Sequence, residues 1–492
     1  MLLLGFAAGI PLLLIFSSLS LWLREAGVER NAVTFFSWAA LGYSFKFVWA
    51  PLVDRLPLPG LTRRYGRRRG WLLLAQLGII GAIVLMAMTD PAAGPDHLVQ
   101  MALAAVLLGF SAATQDIVID AYRIESAPPA LQGMLSAAYI MGYRVGMVTS
   151  GAGALFLASL FLSEPGAYVY DAWRLTYLIM AATMLVGVLT TLLVPEPVTG
   201  PRAAYPHGPL AYARLLLVFL CAAAVFASSF FVSGDAFRTL HALTGGGRLA
   251  GFATEAVRLA LALTAAALLG STLVALGAVN RTMARQTWVE PGLDFFRRYG
   301  PRTALLLLAL IGLYRISDIV LGVIANVFYQ DLGFTKPQIA RAVNTFGVLI
   351  SIVGGFVGGL LVSRCGVMRI LMLGAVLAAA TNLLFIWLAR AGAEPTLMYL
   401  TVGADNLAAG LASAAFIAFL SSLTSVSFTA VQYAIFSSLM TLLPKVIGGY
   451  AGGIVDRIHY PGFFLFTALL GLPVLLLVWL AGRHLAVAPT TV

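Results

Sequence analysis

Apolar runs of about 18 residues or more, long enough to cross roughly 30 Å of hydrocarbon as helix, recur along most of this 492-residue chain. In lipid every backbone N–H and C=O must be satisfied internally, so only helices or a closed barrel can span. A barrel would show segments of about ten residues with alternating polarity, and the sequence has none. Hydrophobic residues make up 60% of the chain and charged residues 10%, which no soluble globular domain shows. The expected fold class is an all-α polytopic membrane protein.

The runs fall at about 2–22, 32–52, 71–89, 98–119, 132–160 and 171–194, then 214–233 and 258–279, then 303–328, 339–362, 370–390, 397–422, 430–455 and 462–482. The polar stretches "PEPVTGPRAAYPHGP" and "NRTMARQTWVEPGLDFFRRYGPR" flank the middle pair. About 14 spans in the order six, two, six predict a duplicated bundle with an insert. On that reading 1–194 is an N-terminal six-helix bundle and 195–302 is a central linker with two extra transmembrane helices. Residues 303–492 form a C-terminal six-helix bundle. In such repeats the substrate site lies near the midplane, at the interface of the halves. The inserted pair holds no candidate site residue and is expected to be an accessory hairpin.

Positive charge orients the chain. Arg55, Arg63, Arg64, Arg67, Arg68 and Arg69 lie in one loop, with Arg281, Arg285, Arg297, Arg298 and Arg302, and Arg364 and Arg369, in two others on the same side. The loop at 90–97, on the other side, has no Lys or Arg. Both termini are therefore expected in the cytoplasm. The first run begins at Met1 without a basic region before it, so no cleavable signal is expected. The net charge of +11 resides in short loops and is no sign of nucleic-acid binding. Cys221 and Cys365 fall in or beside spans, and no two histidines are spaced as metal ligands, so neither a metal nor a cofactor is expected.

An ionised side chain at mid-span costs about 2.5–3.5 kcal/mol on insertion scales and must face a cavity or a partner. Lys46, Asp116, Asp120, Arg144, Arg315, Asp318, Asp405 and Lys445 are such residues. Asp116 and Asp120, four apart, share one helix face, and carboxylates that close resist ionising together. Either they carry protons, or they pair with Arg123 and the basic loop at 63–69. Glu125 is expected just outside the span, as a loop charge. Arg315 and Asp318, three apart, can pair, either as a fixed structural pair or as one that opens in transport. Lys46 either snorkels to the cytoplasmic end or faces the cavity. Arg144 and Lys445 lie too deep to snorkel, and cations in both halves point to an anionic substrate or a salt-bridged gate. Asp405 and Asn406 lie in the outer third of their span, towards the external mouth. "GGFVGGL" at 354–360 and "GGYAGG" at 448–453 carry overlaid GxxxG spacings and predict close helix contacts. "RRYGRRRG" is read as a topology anchor first and a conformational latch second.

At these residues the chain resembles a known family. "GFAAGIPLLL", "YSFKFVWAPLVDR", "GRRRGWLL", "TQDIVIDAYR", "GYRVGM", "LYRISD" and "SFTAVQYAIFSSL" look like AmpG-type muropeptide permeases of the major facilitator superfamily, over nearly the whole chain. The resemblance implies the major facilitator fold and a proton-motive-force-dependent importer in the bacterial inner membrane. It implies GlcNAc-1,6-anhydro-MurNAc and its peptides as substrates, a role in peptidoglycan recycling, and an influence on β-lactamase induction. The extra pair of spans resembles the fourteen-span members. With such a substrate, Lys46, Gln115, Arg144, Arg315, Asn344, Asn406, Gln432 and Lys445 are the expected cavity contacts. The arginines offer bidentate forks to carboxylates and the amides suit sugar and peptide groups. Asp116, Asp120 and Asp318 are the expected proton-coupling groups. The expected partners are the anhydromuropeptide, protons and the bilayer, with the chain working as a monomer. A facilitator for another anionic substrate, such as an acyl-CoA or oligosaccharide, remains an alternative, as do a sensor or scaffold without transport and a membrane-embedded transferase. The last would call for His, Asp or Glu clusters in interfacial loops, and the sequence has no such cluster.

Overall fold

The structure, a computed structural model, describes residues 1–28, 41–161, 168–197, 207–243 and 248–487, and every regular element among them is helical. The first helix, α1 (Leu2–Glu25), is followed by a shorter helical stretch, α2 (41–55), interrupted by a 3-10 turn at Lys46–Val48. The expected second span, about 32–52, falls partly outside the described residues. Then come α3 (Arg67–Ala87), α4 (Pro95–Glu125), α5 (Gln132–Leu160) and α6 (Tyr170–Leu193). Next are α7 (Pro209–Val232), α8 (Ala253–Ala275), α9 (Glu290–Asp331) and α10 (Ala340–Cys365). The last four are α11 (Val367–Ala391), α12 (Pro395–Leu423), α13 (Val426–Gly448) and α14 (Ala451–Leu485). Apart from α2, these are the 13 described helices long and apolar enough to cross a membrane. Apolar side chains such as Leu103, Phe156 and Leu193 point outward, as a lipid-facing surface requires.

The chain divides into two compact units, one of Met1–Asp54, Leu58–Thr199 and Phe295–Val492, the other of Arg55–Pro57 and Gly200–Asp294. The first unit has two apolar cores. One draws on residues between Ala7 and Met184, centred on Trp22, Trp173 and Tyr177. The other draws on residues between Phe295 and Ala481, together with Ile124, and is rich in phenylalanine. In the second unit α7 packs on α8. Arg258 clasps the pair, lying 4.0 Å from the Phe230 ring centroid and donating Nε to the Phe230 carbonyl at 2.9 Å.

Small residues set the helix crossings. A Cβ on Gly142 would lie 1.9 Å from the Leu2 carbonyl oxygen, so α5 can cross α1 this closely only with glycine there. The two overlaid spacings of "GGFVGGL" serve two neighbours. Gly354 and Gly358 face the α12 backbone, whereas Gly359 abuts Gly133 of α5, in the other half. Both α1 and α5 carry a π-turn, at Leu14–Ser18 and Thr149–Gly153. Ser18 of the first donates its hydroxyl to the Ser150 carbonyl of the second at 2.9 Å, satisfying an acceptor that the wider turn releases.

Two helix boundaries differ from expectation. Helix α13 ends at Gly448 and the chain turns at Gly449–Tyr450. The "GGYAGG" stretch therefore marks a helix end, with nothing within 4 Å of a Cβ at Gly452. Helix α9 is broken twice, at Gly300 (φ 73°) and at Tyr314–Arg315.

Candidate functional site

The 3-10 turn of α2 puts the Lys46 ammonium against α4. Lys46 Nζ lies 2.6 Å from Asp116 Oδ2 and 3.9 Å from Asp120 Oδ2. The other Asp116 oxygen accepts from the Tyr139 hydroxyl of α5 at 2.8 Å. Asp120 Oδ1 faces Arg123 Nη2 at 3.4 Å, three residues along the same helix. Two carboxylates and two cations alternate here, so the group is close to neutral and Lys46, 4% exposed, does not snorkel.

In the other half the break in α9 frees the Arg315 side chain to fold onto Asp318. Its Nε lies 3.1 Å from Asp318 Oδ2, and Nη2 contacts the same oxygen. A small cleft between α9, α11 and α12 holds this pair together with Tyr314, Gly374 and Asp405. Arg144, on α5, lies within electrostatic reach of Arg315 and Asp318, and its neighbour Tyr143 lies within reach of Asp116. Ionisable groups of the two halves thus form one series, with the neutral Tyr143 phenol between the charged Lys46 and Asp116 on one side and Arg144, Arg315 and Asp318 on the other. Among the described residues Arg144 has neither a hydrogen bond nor an ion pair.

A second charged group ties the halves at one end of the bundle. Arg68 is fully buried and donates Nη2 to Asp54 Oδ1 at 2.8 Å, to Glu125 Oε1 at 2.6 Å and to Thr429 Oγ1 at 2.6 Å. Thr429 donates to Glu125, and Asp54 Oδ2 accepts the Val431 N–H at 3.1 Å. Arg123 donates to Ser421 at 2.8 Å and lies over the Tyr433 ring at 5.3 Å. Thr429, Val431 and Tyr433 belong to α13 and Ser421 to α12, so the contacts to these four residues join the N-terminal half to the C-terminal half, while the Arg68 pairs with Asp54 and Glu125 lie within the N-terminal half. Arg68 is aimed by the start of its own helix. The carboxylate of Glu196 accepts the backbone N–H groups of Arg68 (2.8 Å) and Arg69 (3.0 Å), capping α3 where its dipole favours an anion.

Two facing helical bundles, charges at their interface and a lock at one end are features of an alternating-access carrier. The sequence model described as Major Facilitator Superfamily matches residues 1–314. The chain belongs to the major facilitator superfamily. Within it the chain is AmpG-type. It is 30% identical over 473 residues to the protein designated AmpG 4 of Rickettsia conorii, covering 96% of this chain and 93% of that one. It is 29% identical over 478 residues to the anhydromuropeptide permease of Escherichia coli K12, covering 97% of this chain and 78% of that one. The proton:xylose symporter XylE has a similar fold, with TM-score 0.57 at 14% identity over 97% of this chain and 92% of that one. So does FucP in its outward conformation, with TM-score 0.57 at 14% identity over 98% and 97%. The protein is therefore a multi-pass membrane transporter and not an enzyme.

In this facilitator Lys46, Asp116, Asp120, Arg144, Arg315 and Asp318 come together as described. Other expected cavity residues lie elsewhere. Gln115 is one residue from Asp116, about 100° around the helix; it is fully buried and donates to the Ala7 carbonyl at 3.3 Å. Gln432 braces the turn before α13, accepting from Arg298 (2.9 Å) and from the Ser425 N–H (2.7 Å). Lys445 is not deep, because α13 ends at Gly448; it is exposed and donates to Ser44 at 3.4 Å. Asn406 donates to the Val402 carbonyl at 2.9 Å. The side chain of Asn344 lies outside the described residues. Glu125 is not a loop charge: its side chain is 1% exposed between Arg67 and Arg68. Asp405, expected at the mouth, lines the cleft with Arg315 and Asp318.

Proposed function

We propose that the chain imports anhydromuropeptides, GlcNAc-1,6-anhydro-MurNAc and its peptides, together with protons across the bacterial inner membrane for peptidoglycan recycling. The observation that carries this reading is Arg144. An unpaired guanidinium between the halves, within reach of Arg315, suits a cargo bearing peptide carboxylates; a neutral sugar would leave it without a partner. The name of the E. coli relative supplies the class of cargo. On the orientation argued from the arginine loops, the lock around Arg68 lies at the cytoplasmic end, and the site is reached from the periplasm. Residues 1–194 and 303–492 then act as the two rocking halves, with 195–302 as the linker and accessory pair. Signalling to β-lactamase induction would follow from the cargo delivered.

Each net negative charge moved inward against 100 mV costs about 2.3 kcal/mol, so an anionic cargo needs accompanying protons. Asp116, Asp120 and Asp318 are the groups we assign to that task, and Lys46, Arg144 and Arg315 are the cations that release them. The test is uptake of labelled disaccharide tripeptide into proteoliposomes with an imposed pH gradient. Concentrative uptake abolished by a protonophore supports the reading. Uptake of an acyl-CoA or a plain oligosaccharide in its place would transfer the same mechanism to another cargo, and no uptake of any of them would sink it.

A further inference from the structure

We propose that the outer seam between α11 and α14 binds an anionic phospholipid, with the headgroup held by Arg369 and Arg483 and the acyl chains laid along the apolar stripes below them. The inference does not draw on the cargo proposed above.

Each helix presents one exposed stripe that ends in an arginine. On α11 it begins Arg369, Leu373, Val376; on α14 it closes Leu472, Leu476, Trp479, Arg483. Steps of three and four residues keep each set on one helix face. The opposite faces, with Leu371 and Ala375 of α11 and Val474 and Val478 of α14, are buried in the phenylalanine-rich core. The two helices run antiparallel and meet at two levels. A Cβ on Gly471 would lie 2.8 Å from Ala379 Cβ, and one on Gly482 would lie 3.8 Å from Met368 Cε. The same interval separates these contacts on both helices, so the register sets Arg369 level with Ala481, within about one turn of both Trp479 and Arg483. With the core on one side of the seam, the two exposed stripes lie side by side on the other.

Charge sets this corner apart. Helical side chains tilt towards their helix N-terminus, so Arg483 leans back over the Trp479 ring, its Cζ 3.7 Å from the centroid. Trp479 is 45% exposed, and an exposed indole sits at the level of the headgroups. Stacking on it fixes a cation at that level. Arg369, in the first turn of α11, leans the other way, out towards water. The two guanidiniums thus bracket the headgroup layer. Among the described residues neither has a hydrogen bond or an ion pair, whereas Arg285 is paired with Glu290 and Arg298 donates to Gln432. Arg364, exposed in the loop before α11, adds a third cation. Residues 332–393 and 457–492 contain no Asp or Glu to offset them. Topology asks only for positive charge in the loop. A guanidinium stacked at the head of an apolar stripe fits a phosphate with acyl chains attached, and a lipid that brings its own ammonium cancels the attraction, so an anionic headgroup is favoured. On the orientation argued from the arginine loops, this lipid belongs to the cytoplasmic leaflet.

The test is native mass spectrometry of the full chain in detergent, titrated with phosphatidylglycerol or with phosphatidylcholine of the same acyl chains. Wild type should retain phosphatidylglycerol well above phosphatidylcholine. Arg369→Gln combined with Arg483→Gln should weaken phosphatidylglycerol binding about 30-fold, at about fivefold per arginine near the headgroups, and leave phosphatidylcholine binding unchanged. Arg63→Gln combined with Arg64→Gln removes as much charge from exposed positions in another loop and should keep the wild-type affinity. Equal retention of the two lipids by wild type, or the same loss in both double variants, overturns the proposal. So does a dimer in place of the lipid adduct that the Arg369 and Arg483 substitutions disperse, which assigns this face to a second copy of the chain. Uptake plays no part in the readout, so this reading and the transport reading can fail separately.

Discussion

Thr429 is the smallest part of the end lock and the one whose removal is easiest to quantify. Its hydroxyl accepts from Arg68 at 2.6 Å and donates to Glu125, tying α13 to α3 and α4. Thr429→Val keeps the side-chain shape and deletes both bonds. Hydrogen bonds to charged groups contribute about 1.5–3 kcal/mol each. Arg68 and Glu125 keep each other at 2.6 Å, however, and the Asp54–Val431 and Arg123–Ser421 bonds persist. The loss therefore falls to about 2 kcal/mol, a roughly 30-fold shift towards the state in which this end is open. Spin labels on cysteines at the exposed positions Arg64 and Ser427, in a background lacking Cys221 and Cys365, report it by double electron–electron resonance. The variant should gain a longer-distance population that wild type lacks. If the two distance distributions coincide in folded protein, the lock does not hold the halves and the argument built on Arg68 is wrong.

Lys46→Met leaves Asp116 and Asp120 with only Arg123 and Tyr139. Breaking a buried pair in this way costs about 3–5 kcal/mol while the carboxylates are ionised. The sign follows from the charge lost: the variant's thermal stability should fall furthest below wild type at high pH and recover as acid protonates the carboxylates, and a deficit independent of pH would contradict the pairing. Gly142→Val should abolish folded yield, since even its Cβ would sit 1.9 Å from the Leu2 carbonyl oxygen. Gly81→Ala, with open space around its Cβ, should express normally and gain up to about 1 kcal/mol in helix propensity. Equal yields of the two by fluorescence size-exclusion would contradict the α1–α5 crossing.

The helical membrane class, most of the spans, the charge pairs close in sequence and the family were legible in the sequence because each rests on local spacing. Hydropathy marks a helix of about 20 residues, and i to i+3 or i+4 spacing put Arg315 with Asp318 and Asp116 with Asp120. Partnerships between distant segments were not legible. Nothing near Glu125 announces Thr429, 304 residues later, and among consecutive arginines only helical phase selects Arg68 to face inward. Gln432 was misplaced because nothing beside it announces Arg298, 134 residues away, and Gln115 for a related reason. A polar residue beside a charged one looks like a site in one dimension, whereas on a helix it faces another neighbour. Lys445 depended on where α13 stops, and glycines that serve as packing residues in "GGFVGGL" serve as a helix end in "GGYAGG".

The midplane charges and the end lock share a residue pair on α4. Asp120 offers one oxygen to Lys46 at 3.9 Å and the other to Arg123 at 3.4 Å, and Arg123 in turn holds Ser421 of the opposite half. Adding a proton to Asp120 removes the only charged partner described for Arg123, leaving Gln132 and Ser136 of α5, Ser421 of α12 and the Tyr433 ring, all neutral. The guanidinium then has less reason to reach across to α12. On the proposed proton-coupled mechanism, a change in charge at Asp120 would reach the lock through one helix, over the short path from Asp116 to Arg123. A carrier of this design does not need a long relay of side chains: the same turns of α4 face the site on one side and the lock on the other.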